Sequence, residues 1–126
     1  MLIWFFDMYT YSFEKLDVWK EAKDFTKEIY DVTAQFPEQE KFGLTSQLRR
    51  ATVSICSNIA EGSARKTNKD KAYFTTISFS SAVEVLNQLI LAVELGFLNQ
   101  ENYQELRSKL ESITNKLNAL RNYQTK

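Results

Sequence analysis

Six basic side chains lie within a short central segment of a chain whose overall charge is zero. Residues 49–71 carry a net charge of +4, whereas residues 1–48 carry −4 and residues 72–126 carry zero. Clustered lysine and arginine side chains neutralise the phosphates of nucleic acids, so this segment is a candidate nucleic-acid-binding patch. Its members are Arg49, Arg50, Arg65, Lys66, Lys69 and Lys71. The competing interpretation is that Arg49 pairs with an acidic side chain at a subunit interface and the lysines are only solvated.

The side chains that most enzymes use are largely missing. The sequence contains no histidine and a single cysteine, Cys56, which excludes the usual zinc, haem and catalytic-dyad arrangements. It also lacks a glycine-rich phosphate loop. Glu84 and Glu94 lie in an apolar segment, where pairing with a basic side chain across an interface is favoured over catalysis. We therefore predict a non-enzymatic protein with no metal and no cofactor.

The single cysteine also indicates the cellular compartment in which the protein is found. It cannot form an intramolecular disulfide, and nothing else in the composition indicates an oxidising environment, so we predict a cytoplasmic protein. The longest apolar run near the start, Met1–Phe6, is far shorter than the roughly 20 residues that span a bilayer, so we predict no membrane partner.

The elements that carry these residues are predicted to be helices. Three glycines and one proline in 126 residues are too few for a turn-rich sheet protein. Apolar residues recur at spacings of three and four over four segments. The predicted helices cover about Asp17–Gln35, Leu44–Glu61, Thr67–Leu95 and Gln100–Tyr123. Short connections between long helices predict an all-α, antiparallel up-down-up-down four-helix bundle.

Residues with known preferences at helix ends support these boundaries. Side chains that accept hydrogen bonds from the first turn, or that interrupt a helix, stand at each predicted end. The predicted N-caps are Asp17, Thr67 (with Asp70 three residues later) and Asn99, and the predicted stops are Pro37, Gly62 and Gly96. A short helical turn is expected in the connection before Leu44.

The second and third helices have more apolar surface than one subunit can cover. Residues 44–62 present two apolar sides, and Val83–Val93 is apolar almost all round. A helix that is apolar on every side must be buried on every side, so we predict a homo-oligomer. The fourth helix has one narrow apolar seam and is placed outermost. Predicted interface residues are Arg49, Val53, Cys56, Ala60, Val83, Leu86 and Ile90. Ser78, Ser80 and Ser81 are expected to let helices approach closely.

Residues 1–12 form an aromatic arm, and residues 13–126 form the predicted bundle domain. Two interpretations of the arm remain open. It packs on its own or a neighbouring subunit, or reflects an upstream start codon with Met8 as another candidate start. Alternatively, it stacks on bases or docks on a partner.

Three stretches resemble a bacterial family of small four-helix proteins known from open reading frames within intervening sequences of 23S ribosomal RNA genes. They are FEKLDVWKEA (Phe13–Ala22), EKFGLTSQLRRATVSICSNIAEGSAR (Glu40–Arg65) and LAVELGFL (Leu91–Leu98). The resemblance implies an up-and-down bundle that assembles as a homo-oligomer, often a ring of five. A related group resembles the accessory protein of diversity-generating retroelements, a basic pentamer that contacts nucleic acid and a reverse transcriptase. This chain departs from that group in being neutral.

Two functional hypotheses follow. The first is a homo-oligomeric scaffold that binds RNA or a ribonucleoprotein through the basic patch, with weak contacts strengthened by repetition around the assembly. The second is a protein–protein interaction module, such as an accessory subunit of a polymerase, with no nucleic-acid contact. It would use the aromatic arm or the acidic face of the first helix, which carries Asp17, Glu21, Asp24, Glu28 and Asp31.

Overall fold

Four long helices account for most of the chain. A computed structural model describes residues 8–126, and contains α1 (Asp17–Thr33), α2 (Leu44–Ser63), α3 (Asn68–Glu94) and α4 (Gln100–Gln124). Two short 3-10 helices, Ser12–Lys15 and Glu38–Glu40, precede α1 and α2. No strand occurs within this part of the chain, so the all-α prediction and the short turn before Leu44 are confirmed.

Three predicted helix-end signals are confirmed. The Thr67 Oγ1 atom accepts a hydrogen bond from the Asp70 N–H at 3.1 Å, and Asn99 Oδ1 accepts one from the Asn102 N–H at 2.7 Å. These side chains satisfy backbone donors that the first turn of a helix leaves free. Gly96 follows α3 with φ at +79°, a left-handed conformation that glycine adopts without strain.

Two other predicted ends, the Asp17 N-cap and the Gly62 stop, are wrong, and the end of α1 lies earlier than predicted. The N-cap of α1 is Leu16 in an extended conformation, and Asp17 is already the first residue of the helix. At its other end α1 stops at Thr33, four residues before Pro37. Gly62 does not close α2, because the helix continues through it to Ser63. Gly62 is instead a packing position. A Cβ atom there would lie 2.8 Å from the Phe74 Cβ of α3, so only glycine allows α2 and α3 this close approach.

The core is built from the four predicted apolar seams. Each helix contributes at least two large side chains that are almost completely buried between the helices. These residues are Phe25 and Ile29 of α1, Leu48 and Ile55 of α2, Val85 and Leu89 of α3, and Ile113 and Leu117 of α4.

The contact between α2 and α3 is the most extensive in the bundle and has small polar residues at its centre. The buried Ser78 hydroxyl donates to the Ile55 carbonyl at 2.8 Å, and the Ser54 and Ser81 hydroxyls lie 2.8 Å apart. Small side chains let the two backbones approach, and each hydroxyl has a partner, so its burial is tolerated. The prediction of close packing is confirmed for Ser78 and Ser81, whereas Ser80 is exposed.

Each helix contacts the helices before and after it in sequence, and α1 also contacts α4. Within residues 8–126, the backbone of α1 does not closely approach that of α3, nor that of α2 that of α4, so the helices stand at the corners of a square. Residue numbers rise on one helix as they fall on its neighbour. Between α1 and α2, Thr26 contacts Cys56 and Thr33 contacts Arg49. Between α2 and α3, Ile55 contacts Ser78 and Ser54 contacts Ser81. Between α1 and α4, Glu21 contacts Lys116 and Glu28 contacts Lys109.

Helix α3 keeps considerable apolar exposure in the single chain. Val83 is 51% exposed and Ile90 is 40% exposed. By length and composition α3 could also cross a membrane, the one such helix in residues 8–126. The central helix of a soluble bundle meets the same criterion, and α3 packs against both α2 and α4, so this feature is weak evidence for a membrane segment.

Candidate nucleic-acid interface and self-association surfaces

The six predicted phosphate-binding residues do not form one patch. Arg49 and Arg50 lie in the first half of α2, whereas Arg65 follows its end. With a rise of 1.5 Å per residue, this separates Arg49 from Arg65 by about 24 Å along the bundle. The other four residues, Arg65, Lys66, Lys69 and Lys71, lie together in the α2–α3 connection and the first turn of α3.

Arg49 is half-buried and held by α1. Its Nε donates to Thr33 Oγ1 at 2.8 Å, its Nη2 donates to the Tyr30 carbonyl at 3.2 Å, and its guanidinium lies 4.5 Å from the centre of the Tyr30 ring. The Tyr30 carbonyl also accepts from the Ala34 N–H at 3.1 Å, and a cation near the last turn of a helix is stabilised by the helix dipole. Arg49 therefore joins α2 to the end of α1.

We expect Arg49→Met to lower the free energy of unfolding by about 1.5 kcal/mol, because it removes two charge-assisted hydrogen bonds and the contact with Tyr30. Urea denaturation at fixed protein concentration measures the change. The control is Arg50→Met, at an exposed neighbouring position, which should change the value by less than about 0.5 kcal/mol. Equal effects of the two substitutions would contradict the assigned role of Arg49.

The tertiary structure adds three basic residues to the α2–α3 connection. Arg121 and Lys126 of the α4 end are brought there because the Thr75 hydroxyl donates to Gln124 Oε1 at 2.7 Å and Arg121 Nε donates to Thr76 Oγ1 at 2.8 Å. Lys15 joins them from the turn before α1. We call this region the basic end. It contains Lys15, Arg65, Lys66, Lys69, Lys71, Arg121 and Lys126, with the acidic residues Glu14, Asp17, Glu61 and Asp70.

Exposed aromatic rings accompany these cations. Tyr73 and Tyr123 are exposed, and the Lys126 ammonium lies 5.7 Å from the centre of the Tyr123 ring. The Arg65 guanidinium lies 4.5 Å from the centre of the Phe74 ring. No sequence signal links the end of α4 to the α2–α3 connection, because these segments are about 50 residues apart and meet only through packing.

A pocket of about 200 Å³ opens at the basic end. It lies between α2, α3, α4 and the 3-10 turn before α1. Its lining combines apolar side chains with polar groups and one lysine. These residues are Ser12, Leu16, Ile59, Gly62, Ser63, Asn68, Lys71, Thr75, Leu120, Tyr123 and Gln124.

The predicted interface residues fall into two stripes. On α2, Arg49 and Cys56 contact α1, and Val53 (40% exposed) and Ala60 continue the same line at helical spacing. We call this line the α2 stripe. On α3, Val83, Leu86 and Ile90 form the α3 stripe, which continues the line of Thr76, seven residues before Val83 and in contact with Arg121 of α4.

The two stripes therefore lie on opposite sides of the bundle. The α2 stripe borders α1 and the α3 stripe borders α4. In a square of helices, the α1–α2 side faces away from the α3–α4 side. A head-to-tail contact between copies would bring one stripe of each copy against the other stripe of its neighbour.

The acidic face of α1 is partly neutralised by α4. Glu28 pairs with Lys109, Glu21 pairs with Lys116, and Ser112 Oγ donates to Glu21 at 2.7 Å. The hydrogen bond that Lys109 donates to Glu28 raises the pKa of Lys109, which stays charged. Two of the five acidic side chains of this face are thus bonded to α4 within the subunit.

Groups that could do chemistry are sparse elsewhere. Within residues 8–126 no cluster of three acidic, cysteine or histidine side chains has the geometry to hold a metal ion. Glu84 accepts a hydrogen bond from Gln88 Nε2 at 3.1 Å on the same helix, and Glu94 is exposed at the end of α3.

Cys56 is half-buried, and its burial raises the pKa of the thiol; the contact with Thr26 Oγ1 and the charge of Lys23 offset this only in part. The thiolate is the reactive form. We therefore expect Cys56 to react with a disulfide reagent at pH 8 at least about tenfold more slowly in the folded protein than in denaturant. Absorbance of the released thiolate gives both rates, and equal rates would contradict the buried position.

Comparisons with known proteins agree with the fold. Residues 14–119 match the sequence profile of a family described as 23S rRNA-intervening sequence protein. A crystal structure of a protein of unknown function from the S23 ribosomal protein family of Bacteroides thetaiotaomicron superposes with a TM-score of 0.74. It is 23% identical, and the match covers 82% of this chain and 96% of that one. A search of curated proteins found no match.

Proposed function

The chain belongs to the 23S rRNA-intervening sequence protein family, and from this premise we propose that it is a non-enzymatic, homo-oligomeric scaffold that binds RNA. The observation that carries the proposal is the arrangement of two apolar stripes on opposite sides of a bundle whose basic side chains gather at one end.

Self-association is the first part of the proposal. We infer an up-down-up-down order of the helices, supported by the opposed residue numbering of the contacting pairs. Stripes on opposite sides favour a head-to-tail contact, and such contacts close into rings when the rotation between copies allows it. The family resemblance favours five copies. We propose a homopentamer in the bacterial cytoplasm, without membrane contact.

RNA binding is the second part. Rotation about an axis parallel to the helices leaves every basic end on the same face of the ring. One basic end has only a small excess of positive charge, because four acidic residues accompany its seven basic ones. Five copies on one face multiply the phosphate contacts available to a single RNA, and the contacts act together because they are linked.

We expect the triple substitution Arg65→Gln, Lys66→Gln, Lys69→Gln to lower the affinity for RNA at least about tenfold at low salt and to flatten the dependence of affinity on salt concentration, because each lost phosphate contact releases fewer counterions. Fluorescence anisotropy of a labelled RNA measures both. The matched control is Lys27→Gln, Lys41→Gln, Arg107→Gln, which removes the same charge away from the basic end. No binding by the wild type at low salt, or equal losses in both variants, would refute RNA binding here.

A protein-interaction module without nucleic-acid contact is the second candidate. It is favoured by the exposed rings of Tyr9 and Tyr11, whose centres lie 5.0 Å apart and which lead through Phe13 to Trp19 of α1. The earlier part of the predicted arm, residues 1–7, lies outside the described residues. Capture of a defined polymerase subunit that persists after nuclease treatment, with no RNA binding, would favour this candidate.

A further inference from the structure

The pocket at the basic end is lined by two kinds of residue, apolar and polar. Leu16, Ile59 and Leu120 supply apolar walls. The polar groups are the Ser63 hydroxyl, the side-chain amides of Asn68 and Gln124, and the ammonium of Lys71, and none of the described lining residues is acidic. Apolar walls with a few donors and acceptors suit a flat ligand with a polar edge, and the lysine favours a ligand that carries negative charge.

The polar groups keep hydrogen-bonding capacity for such a ligand. Gln124 uses its Oε1 to accept from Thr75, which leaves its Nε2 amide as a donor. Ser63 donates its hydroxyl hydrogen to the Ala60 carbonyl at 2.8 Å, which leaves its oxygen as an acceptor. A donor and an acceptor in the lining of the pocket can serve the polar edge of a nucleobase.

Tyr123 provides the stacking surface. It lines the pocket, is 70% exposed, and lies beside Lys126, whose ammonium would stay close to a phosphate on the same strand. A base stacked on an aromatic ring is stabilised by about 1–3 kcal/mol irrespective of its identity. Bases inside a duplex are already stacked and paired, and cannot enter a pocket without leaving the helix.

We propose that the basic end recognises single-stranded RNA, with one unpaired base held in the pocket against Tyr123 and its phosphate held by Lys71 and Lys126. The inference rests on the proposed RNA binding and adds the form of nucleic acid and the residue that distinguishes it. The connection lysines contribute charge to any polyanion, whereas the pocket contributes only when a base is free.

The test compares three ligands of equal length under the same salt conditions: a single-stranded uridine RNA, the same RNA annealed to its complement, and an abasic ribose-phosphate strand. The wild type is expected to bind the single strand at least about fivefold more tightly than the other two. Tyr123→Leu keeps an apolar wall but removes the ring, and should abolish that preference while leaving abasic-strand binding unchanged. The control is Tyr73→Leu, an exposed tyrosine of the same end that does not line the pocket.

The outcomes separate this inference from the proposed function. Equal binding of all three ligands, with affinity still lost in the Arg65–Lys66–Lys69 variant, would overturn the pocket and leave RNA binding intact. A preference for single strands that persists in Tyr123→Leu, or is lost only in Tyr73→Leu, would also overturn it. Absence of binding to every ligand would overturn both. Circular dichroism verifies that each variant keeps its helices.

Discussion

The double substitution Val83→Glu, Ile90→Glu is expected to convert the assembly into monomers of 14.7 kDa. Both side chains belong to the α3 stripe and are half-exposed in the single chain, so the subunit should tolerate the change. In the proposed ring both would be covered by the neighbour, and burying two unpaired carboxylates there costs several kcal/mol, which opposes the contact. Analytical ultracentrifugation at micromolar concentration measures the mass.

The control is Phe42→Glu, which places one carboxylate at an apolar residue that is 90% exposed and outside both stripes. It should leave the mass of the assembly unchanged. A wild-type protein that is itself monomeric at micromolar concentration would refute the assembly directly.

Mixing variants tests the geometry of the contact. Val53→Glu on the α2 stripe should also produce monomers, yet each variant keeps one intact stripe. In a head-to-tail contact the intact α3 stripe of one variant fits the intact α2 stripe of the other. An equimolar mixture should therefore form dimers and nothing larger. Failure to form this dimer would contradict contact between the two stripes.

Gly62→Leu is expected to lower the free energy of unfolding by about 2 kcal/mol. The added side chain would begin 2.8 Å from the Phe74 Cβ, which is fixed to the α3 backbone and cannot move aside, and overpacking of this kind costs about 3 kcal/mol. Replacing glycine inside a helix returns about 1 kcal/mol through helix propensity. The steric term is larger, so the net effect is destabilising.

Urea denaturation followed by circular dichroism, at one fixed protein concentration, gives the value. The control is Ser57→Leu, which adds the same side chain to α2 at an exposed position and should change stability by less than about 0.5 kcal/mol. A stabilised Gly62→Leu variant would mean that α2 and α3 separate easily at this point, contrary to the packing described.

Much of the fold could be predicted from local patterns. The spacing of Phe25 and Ile29, or of Ile113 and Leu117, marks the buried side of a helix because helical periodicity depends only on neighbours in sequence. Thr67, Gly96 and Asn99 were recognisable as helix ends for the same reason. The prediction of Asp17 as an N-cap was wrong because the 3-10 turn before it makes Leu16 the N-cap, so that the helix begins at Asp17.

Only part of the candidate site could be predicted from the sequence. The charged segment 49–71 includes the connection between α2 and α3, but it also includes Arg49, which bonds to α1. It could not include Arg121 or Lys126, whose positions depend on how α4 packs against α3. Likewise, the list of apolar interface residues carried no information that they lie on two opposite sides.

The sequence by itself determined the four helices, their buried seams and the excess of apolar surface, because these are properties of periodicity and composition along one segment. The tertiary structure decided that Gly62 is a contact rather than an end, that seven basic side chains share one end, and that the two apolar stripes face apart. Each of these depends on distances between residues remote in sequence, which are set only when the helices pack together.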